Sequence, residues 1–313
     1  MLTYSELDAT TRKRFIPALR DNIFGSNVLL YRLLKDADMG NAKDGGTKVI
    51  EPIEYAKNSN VGSYTKGDTL STGYVSNITA AEFEWKRYYG SVTIDGVEEL
   101  QNRGAARVID FVAAEIKNTS KSLADDMATD MFSDGTSDAK GLVGIKATCD
   151  DGSNIDPYGG ISISDFSGWA GTLTHEADTA FELADWRAMY WDVTVGNEKP
   201  TIIVTTADEM DAYENIFMSS PSYILSQAVQ LKTLDGGWQY FSFKGVPIVE
   251  DSHCTANYVH FLNEDYLHFR VLRNFTNTKW VRPYDKDELI SQILWTGALT
   301  CSNRRLFGMM YHD

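Results

Sequence analysis

The chain has 313 residues, 43% of them apolar and 12% aromatic, enough for one large domain or two ordinary ones and too many for global disorder. Its 44 acidic against 29 basic side chains give a formal charge of −15, which argues against a surface built to grip nucleic-acid phosphates. Three scattered cysteines (Cys149, Cys254, Cys301) form no paired framework and suit a reducing compartment, and no apolar run approaches a membrane span or follows a cationic leader.

Residues 1–46 read as a mixed arm. The stretch RKRFIPALRDNIFGSNVLLYRLL is basic and amphipathic, with Phe15, Leu19, Ile23 and Leu30 near helical spacing and interruptions at Pro17 and Gly25. Residues 47–94 follow. Their flanks, VIEPIEYA and FEWKRYYGSVTI, are β-branched and aromatic and predict strands, while KNSNVGSYTKGDTLSTGYVSN between them is polar. Such a two-stranded excursion cannot pack a core of its own and is expected to wait for a partner. Tyr55, Tyr64 and Tyr74, with Lys66, are its candidate contact residues, because aromatic side chains in a polar loop otherwise have little to bury against.

From Asp95 the pattern turns helical. Val108, Val112, Ile116, Leu123, Met127 and Met131 share one face, and the run stops at Ser133 before SDGTSDAKG. About 36 residues of helix would reach roughly 54 Å. No second helix of that length follows, so a lone helix across sheets fits better than a bundle. FELADWRAMYWDVTV predicts an amphipathic helix, and EKPTIIVTTADEMDAYENIF a short buried strand, Thr206 as N-cap, and a helix with an acidic first turn. YFSFKGVPIVED, NYVHFLN and YLHFRVLR predict strands joined by Gly-Val-Pro and Asn-Glu-Asp turns, so residues 180–285 read as an α+β domain. Residues 286–313, with ISQILWTGALTCSNRRLFGMMYHD, read as strand, polar turn and strand.

The catalytic signatures sought are missing from the sequence: a Gly-x-Ser-x-Gly elbow, a glycine-rich phosphate loop, a dinucleotide fingerprint, and zinc spacings of the Cys-x-x-Cys or His-Glu-x-x-His kind. DDGSNID at Asp150 lacks the ligand spacing and terminal glutamate of a calcium loop. Neighbouring carboxylates such as Asp125–Asp126 and Glu98–Glu99 point apart on a helix and read as a solvated face. One cluster competes for chemistry. HCTANYVHFLNEDYLHF places His253, Cys254, His260 and His268 close in sequence, and a metal-dependent enzyme would centre on those histidines. Two strands joined by an Asn-Glu-Asp turn explain the same residues, and the turn length decides whether His260 and His268 share a face. The strand reading is preferred, with no cofactor and no metal expected.

The order of these segments resembles the major capsid proteins of tailed double-stranded DNA bacteriophages, the Hong Kong 97 fold. The resemblance spans nearly the whole chain, and it lies in the series of arm, two-stranded loop, lone helix, α+β domain and returning C-terminal strand. It implies an N-terminal arm (1–46), an extended loop reaching a neighbouring subunit (47–94), a peripheral domain with a spine helix (95–179), an axial domain (180–285) and C-terminal strands returning to the peripheral domain (286–313). The Asn-Arg-Arg of ALTCSNRRLFGMM is an element often met in that last segment. The implied role is assembly, not catalysis: hexamers and pentamers closing into an icosahedral shell around duplex DNA, without sequence-specific binding and without a membrane. The implied setting is a virion capsid assembled in a host bacterial cytoplasm. An acidic inner wall would let packaged DNA slide. Portal and decoration proteins are further implied partners, and the lack of a long helical pre-segment implies a separate scaffolding protein or none. Lys57 and Lys66 lie where some relatives crosslink, but no partner asparagine or glutamate stands out, so no crosslink is expected. The alternatives are an encapsulin-like nanocompartment shell, a tail protein with long loops, and the metal-dependent enzyme.

Overall fold

The computed structural model describes residues 27–36, 46–97, 105–177, 180–218, 232–233 and 239–313. Phe15, Leu19 and Ile23 of the predicted arm and Gly104 of the predicted helix lie outside the described residues.

Helix α1 (Val28–Asp36) is the described part of the arm, and it is built into the chain's own core. Val28, Leu29, Leu30 and Leu33 are buried. Asn27 caps the helix through Oδ1, which accepts from Leu30 N at 2.7 Å, and its Nδ2 donates to Asp251 at 3.2 Å. Arg32 grips Glu264 with two hydrogen bonds of 2.5 and 2.6 Å. This stretch of the arm therefore packs against its own chain.

Strands β1 (Lys48–Glu54) and β2 (Ile78–Glu84) pair antiparallel as an isolated two-stranded sheet. Both alternate exposed with buried side chains. Glu51, Ile53, Ala81 and Phe83 face inward, and Phe83 meets Tyr158 edge-on at 5.4 Å. The predicted second strand is two strands. It breaks at Trp85, and β3 (Lys86–Asp95) enters a different sheet, ordered β10-β11-β3, with β10 (Leu267–Asn277) and β11 (Glu288–Cys301).

Helix α2 (Ala105–Met131) has 27 residues, about 40 Å, and residues 98–104 of the predicted run lie outside the described residues. Val112, Ile116, Leu123, Met127 and Met131 form its buried face, as their spacing requires. The short helix α3 (Ile145–Cys149) and strand β4 (Thr172–Glu176) follow.

The main sheet has seven strands in the order β4-β12-β9-β5-β8-β7-β6. Its members are β4, β5 (Ile202–Thr205), β6 (Lys232–Thr233), β7 (Gln239–Phe243), β8 (Val246–Glu250), β9 (Tyr258–Leu262) and β12 (Gly308–His312). Helices α4 (Leu183–Asp192) and α5 (Ala207–Met218) cover one face, where Trp186, Met189, Tyr213, Phe243, Ile203, Phe261 and Met310 make one apolar cluster. On the opposite face Ile202, Val204 and Leu262 join the larger core that contains Leu123, Met127 and Phe132. A sheet covered on both faces needs apolar residues at consecutive positions, and β5 is buried at all four.

Three connections depart from the sequence reading. The β7–β8 turn is Lys244-Gly245, both at positive φ, while Val246 and Pro247 already belong to β8. Thr206 does not cap α5 with its side chain: its hydroxyl is buried without a partner, and only its carbonyl accepts, from Met210 N. The sheets also ignore the predicted boundaries. Strand β10 leaves the 180–285 stretch to pair with β11, while β4 and β12 enter the seven-stranded sheet from outside it.

Candidate intersubunit surface

Between β1 and β2 the chain makes a polar loop, residues 55–77, with no regular structure. Side chains that bond to its own backbone hold it. Tyr55 N donates to Asn77 O at 3.1 Å, Ser71 Oγ to Asn60 Oδ1 at 2.7 Å, and Asp68 accepts from both N and Oγ1 of Thr65. Those donors hold the exposed Asp68 carboxyl below its usual range.

The loop is polar in composition yet carries apolar residues into solvent. Seven of the thirteen large apolar side chains exposed among the described residues fall in residues 50–78, so exposed apolar surface concentrates on this element. Of the candidate residues, Tyr64 and Tyr74 are 69% and 96% exposed, and Lys66 is exposed beside them. Tyr55 differs from them. It packs on Phe166 at 4.2 Å and its hydroxyl donates to Ser76 O at 2.7 Å, so it serves the hairpin's own base.

The hairpin is anchored at a point the sequence did not mark. The buried Glu51 carboxylate accepts from Arg270 Nε at 2.9 Å and from Thr300 Oγ1 at 3.0 Å, joining β1 to β10 and β11. Lone polar residues in alternating strands give no hint of such partners 219 and 249 positions away. Beside the anchor, Tyr55, Phe166, Trp169, Tyr266 and Arg305 line a cleft of about 470 Å³.

A second anchor is Arg304, in the turn 304–306 between β11 and β12. It is fully buried, and its guanidinium donates to the carbonyls of Ala147, Thr148, Asp150 and Trp169 at 2.6–3.2 Å. Its charge thus meets the carboxyl end of α3, where carbonyls lack helical partners. The Asp150 carboxylate accepts from the backbone of Gly152, Asn154 and Ile155, so DDGSNID is a self-bonded turn.

The histidine cluster separates in space. His260 on β9 and His268 on β10 lie in different sheets and are not a hairpin pair; a single turn of residues 264–266 connects them. The Asp125 carboxylate of α2 accepts from His253 Nε2 at 2.7 Å, which ties the loop after β8 to that helix. Asp125 is thereby more than a solvated carboxylate. His260 is completely buried beside Phe132 and Tyr258 with neither ring nitrogen bonded, and burial, aided by Lys146, pushes its pKa down to about 3. A residue so enclosed cannot meet a neighbouring subunit. Cys254 is buried, and burial raises its thiol above the ordinary range. Among the described residues no three His, Cys, Asp or Glu side chains converge on a metal-sized space, and no helix is long and apolar enough to cross a membrane.

No protein-family model and no curated protein sequence matches the chain. Solved structures do. The capsid protein in the Cyanophage A-1(L) capsid asymmetric unit superposes with a TM-score of 0.64 at 16% identity, over 86% of this chain and 88% of that one. A chain of Mycobacterium phage Bobi gives 0.59 at 9% identity over 90% of each. A chain of the holo-SrpI encapsulin complex from Synechococcus elongatus PCC 7942 gives 0.51 at 11% identity, over 84% of this chain and 81% of that one. At such identities the likeness concerns architecture, and it covers most of the chain: the chain has the α+β Hong Kong 97-type fold of phage capsid proteins.

Proposed function

We propose that this chain is the major capsid protein of a tailed bacteriophage, a structural subunit that assembles as hexamers and pentamers into an icosahedral shell around double-stranded DNA. The carrying observation is a capsid fold matched over 86% of the chain. The projecting hairpin supports it, because Tyr64, Tyr74 and their exposed apolar neighbours gain burial only against another copy. Many modest contacts of this kind favour assembly that can correct its errors. In this reading residues 95–179 serve as the peripheral domain and 180–285 as the axial domain, with sheet partners exchanged between them. Scaffolding, portal and decoration proteins are its further partners, and the host cytoplasm is where it assembles.

Negative-stain microscopy of the expressed protein, alone and with its scaffolding protein, tests the proposal. Capsomer rings or closed shells are expected; a monomer under all conditions overturns it. The encapsulin likeness gives a second shell reading, with a lower TM-score of 0.51. Particles from the native host separate the two: packaged duplex DNA supports the capsid, and an enclosed enzyme supports the nanocompartment.

A further inference from the structure

The outer face of the three-stranded sheet carries a pocket that none of the anchors above uses. Arg87 on β3 and Arg273 on β10 both stand opposite Thr296 of the central strand β11. Residues directly opposite in antiparallel strands share a face, and neighbouring strands lie about 5 Å apart, so two arginine stems rise about 10 Å apart across one threonine. Both are exposed, and among the described residues neither makes a hydrogen bond or an ion pair. Between them lies a space of about 380 Å³, lined on the same face by Tyr89, Gln292 and Leu294.

The charged groups of this pocket are the two guanidiniums, with Gln292 and Thr296 beside them, and no acidic residue lines it. Two guanidinium forks suit an oxyanion, and the planar fork matches a carboxylate through two parallel bonds. The rim is apolar. Tyr89 is 71% exposed at the mouth and Leu294 is half-buried beside it, a surface for a protein partner to cover. A polyphosphate partner would need a stripe of cations, and here two arginines stand on a chain of net charge −15.

We propose that the Arg87–Arg273 pocket receives a carboxylate side chain from a second copy of this chain. The proposal rests on the shell reading, in which each copy presents a surplus of carboxylates to its neighbours. Bound there, the carboxylate would be held by both arginines over Thr296 while the apolar rim excludes water, which strengthens each charge-assisted bond.

The test compares full-length wild type with R87A/R273A and R87K/R273K by sedimentation velocity, microscopy and thermal melting. Because neither arginine side chain has a partner among the described residues, melting temperatures should match wild type. Association should weaken by about tenfold or more in the alanine variant, and in the lysine variant, which keeps the charge but loses the fork, by less. Assembly of the alanine variant at wild-type strength overturns the pocket proposal and leaves the shell reading standing. A wild type that never associates overturns both. Retention of a short DNA duplex that depends on the two arginines, with self-association unchanged, would give the pocket to phosphate and also overturn the proposal.

Discussion

Aromatic side chains on the seven-stranded sheet lie against one another, while those on the hairpin loop stand in solvent. Trp186 has Tyr213, Phe243 and Phe261 at ring distances of 4.8 to 5.9 Å. Tyr64 and Tyr74 are 69% and 96% exposed. The same residue types thus act at different stages. On the sheet they leave water when the chain folds, and on the hairpin, in the proposed shell, that gain would wait for another copy. Polar groups divide in the same way. Arg304 is satisfied by four carbonyls inside the subunit, whereas the side chains of Arg87 and Arg273 have no partner among the described residues. A subunit of a large assembly needs both kinds of region, one to fold alone and one to remain incomplete.

Substitutions should divide along that line. Trp186→Ala, which empties a space between two helices and the sheet, should cost about 3–5 kcal/mol in denaturant unfolding. Arg304→Ala, leaving four buried carbonyls without their donor, should cost about 3 kcal/mol by the same measurement. If either proved neutral, the sheet region would be less self-sufficient than its packing indicates.

His260 supplies a pH test confined to the packed region. Its folded pKa near 3 lies below the ordinary 6.5, so between those values the unfolded chain binds a proton that the folded chain refuses. Its contribution to stability is therefore lost as pH falls from 6.5 toward 3, by about 2 kcal/mol between pH 7 and 5. His260→Phe should remove that part of the slope, as read from unfolding midpoints at the two pH values. His312 works in the opposite sense. Burial alone would lower its pKa, but Glu209 at 2.7 Å and the Asp313 carbonyl outweigh burial and raise it. Its stabilisation is present at low pH and lost as pH rises through the raised value.

The smallest effect on folding belongs to the hairpin. Tyr64→Ser with Tyr74→Ser should alter subunit stability by less than about 0.5 kcal/mol, yet lower the yield of closed particles roughly fivefold. Equal losses in stability and assembly would erase the contrast between the two regions.

Local rules made several elements readable from the chain alone. The spacing of Val112, Ile116, Leu123, Met127 and Met131 marks the buried face of α2, and the apolar run at 202–204 marks β5. The polar loop with its stranded aromatics was equally legible, because composition there disagrees with burial inside one subunit. The histidine cluster misled for the converse reason: closeness in sequence says nothing about which sheet each strand joins. Trp85, where one predicted strand becomes two in separate sheets, carries no breaker signal, since the change of partner is a long-range event.

By itself the sequence determined periodicity, charge and the order of elements, since each depends on neighbours within a few turns of chain. Only the tertiary structure decided which strands pair, that Glu51 clamps the hairpin to β10 and β11, and that Arg304 closes the carboxyl end of α3. It also set Arg87 and Arg273 on either side of Thr296. Those contacts join residues up to 249 positions apart, and no local preference encodes them; they form because a buried charge must find its partner wherever the packed chain brings one.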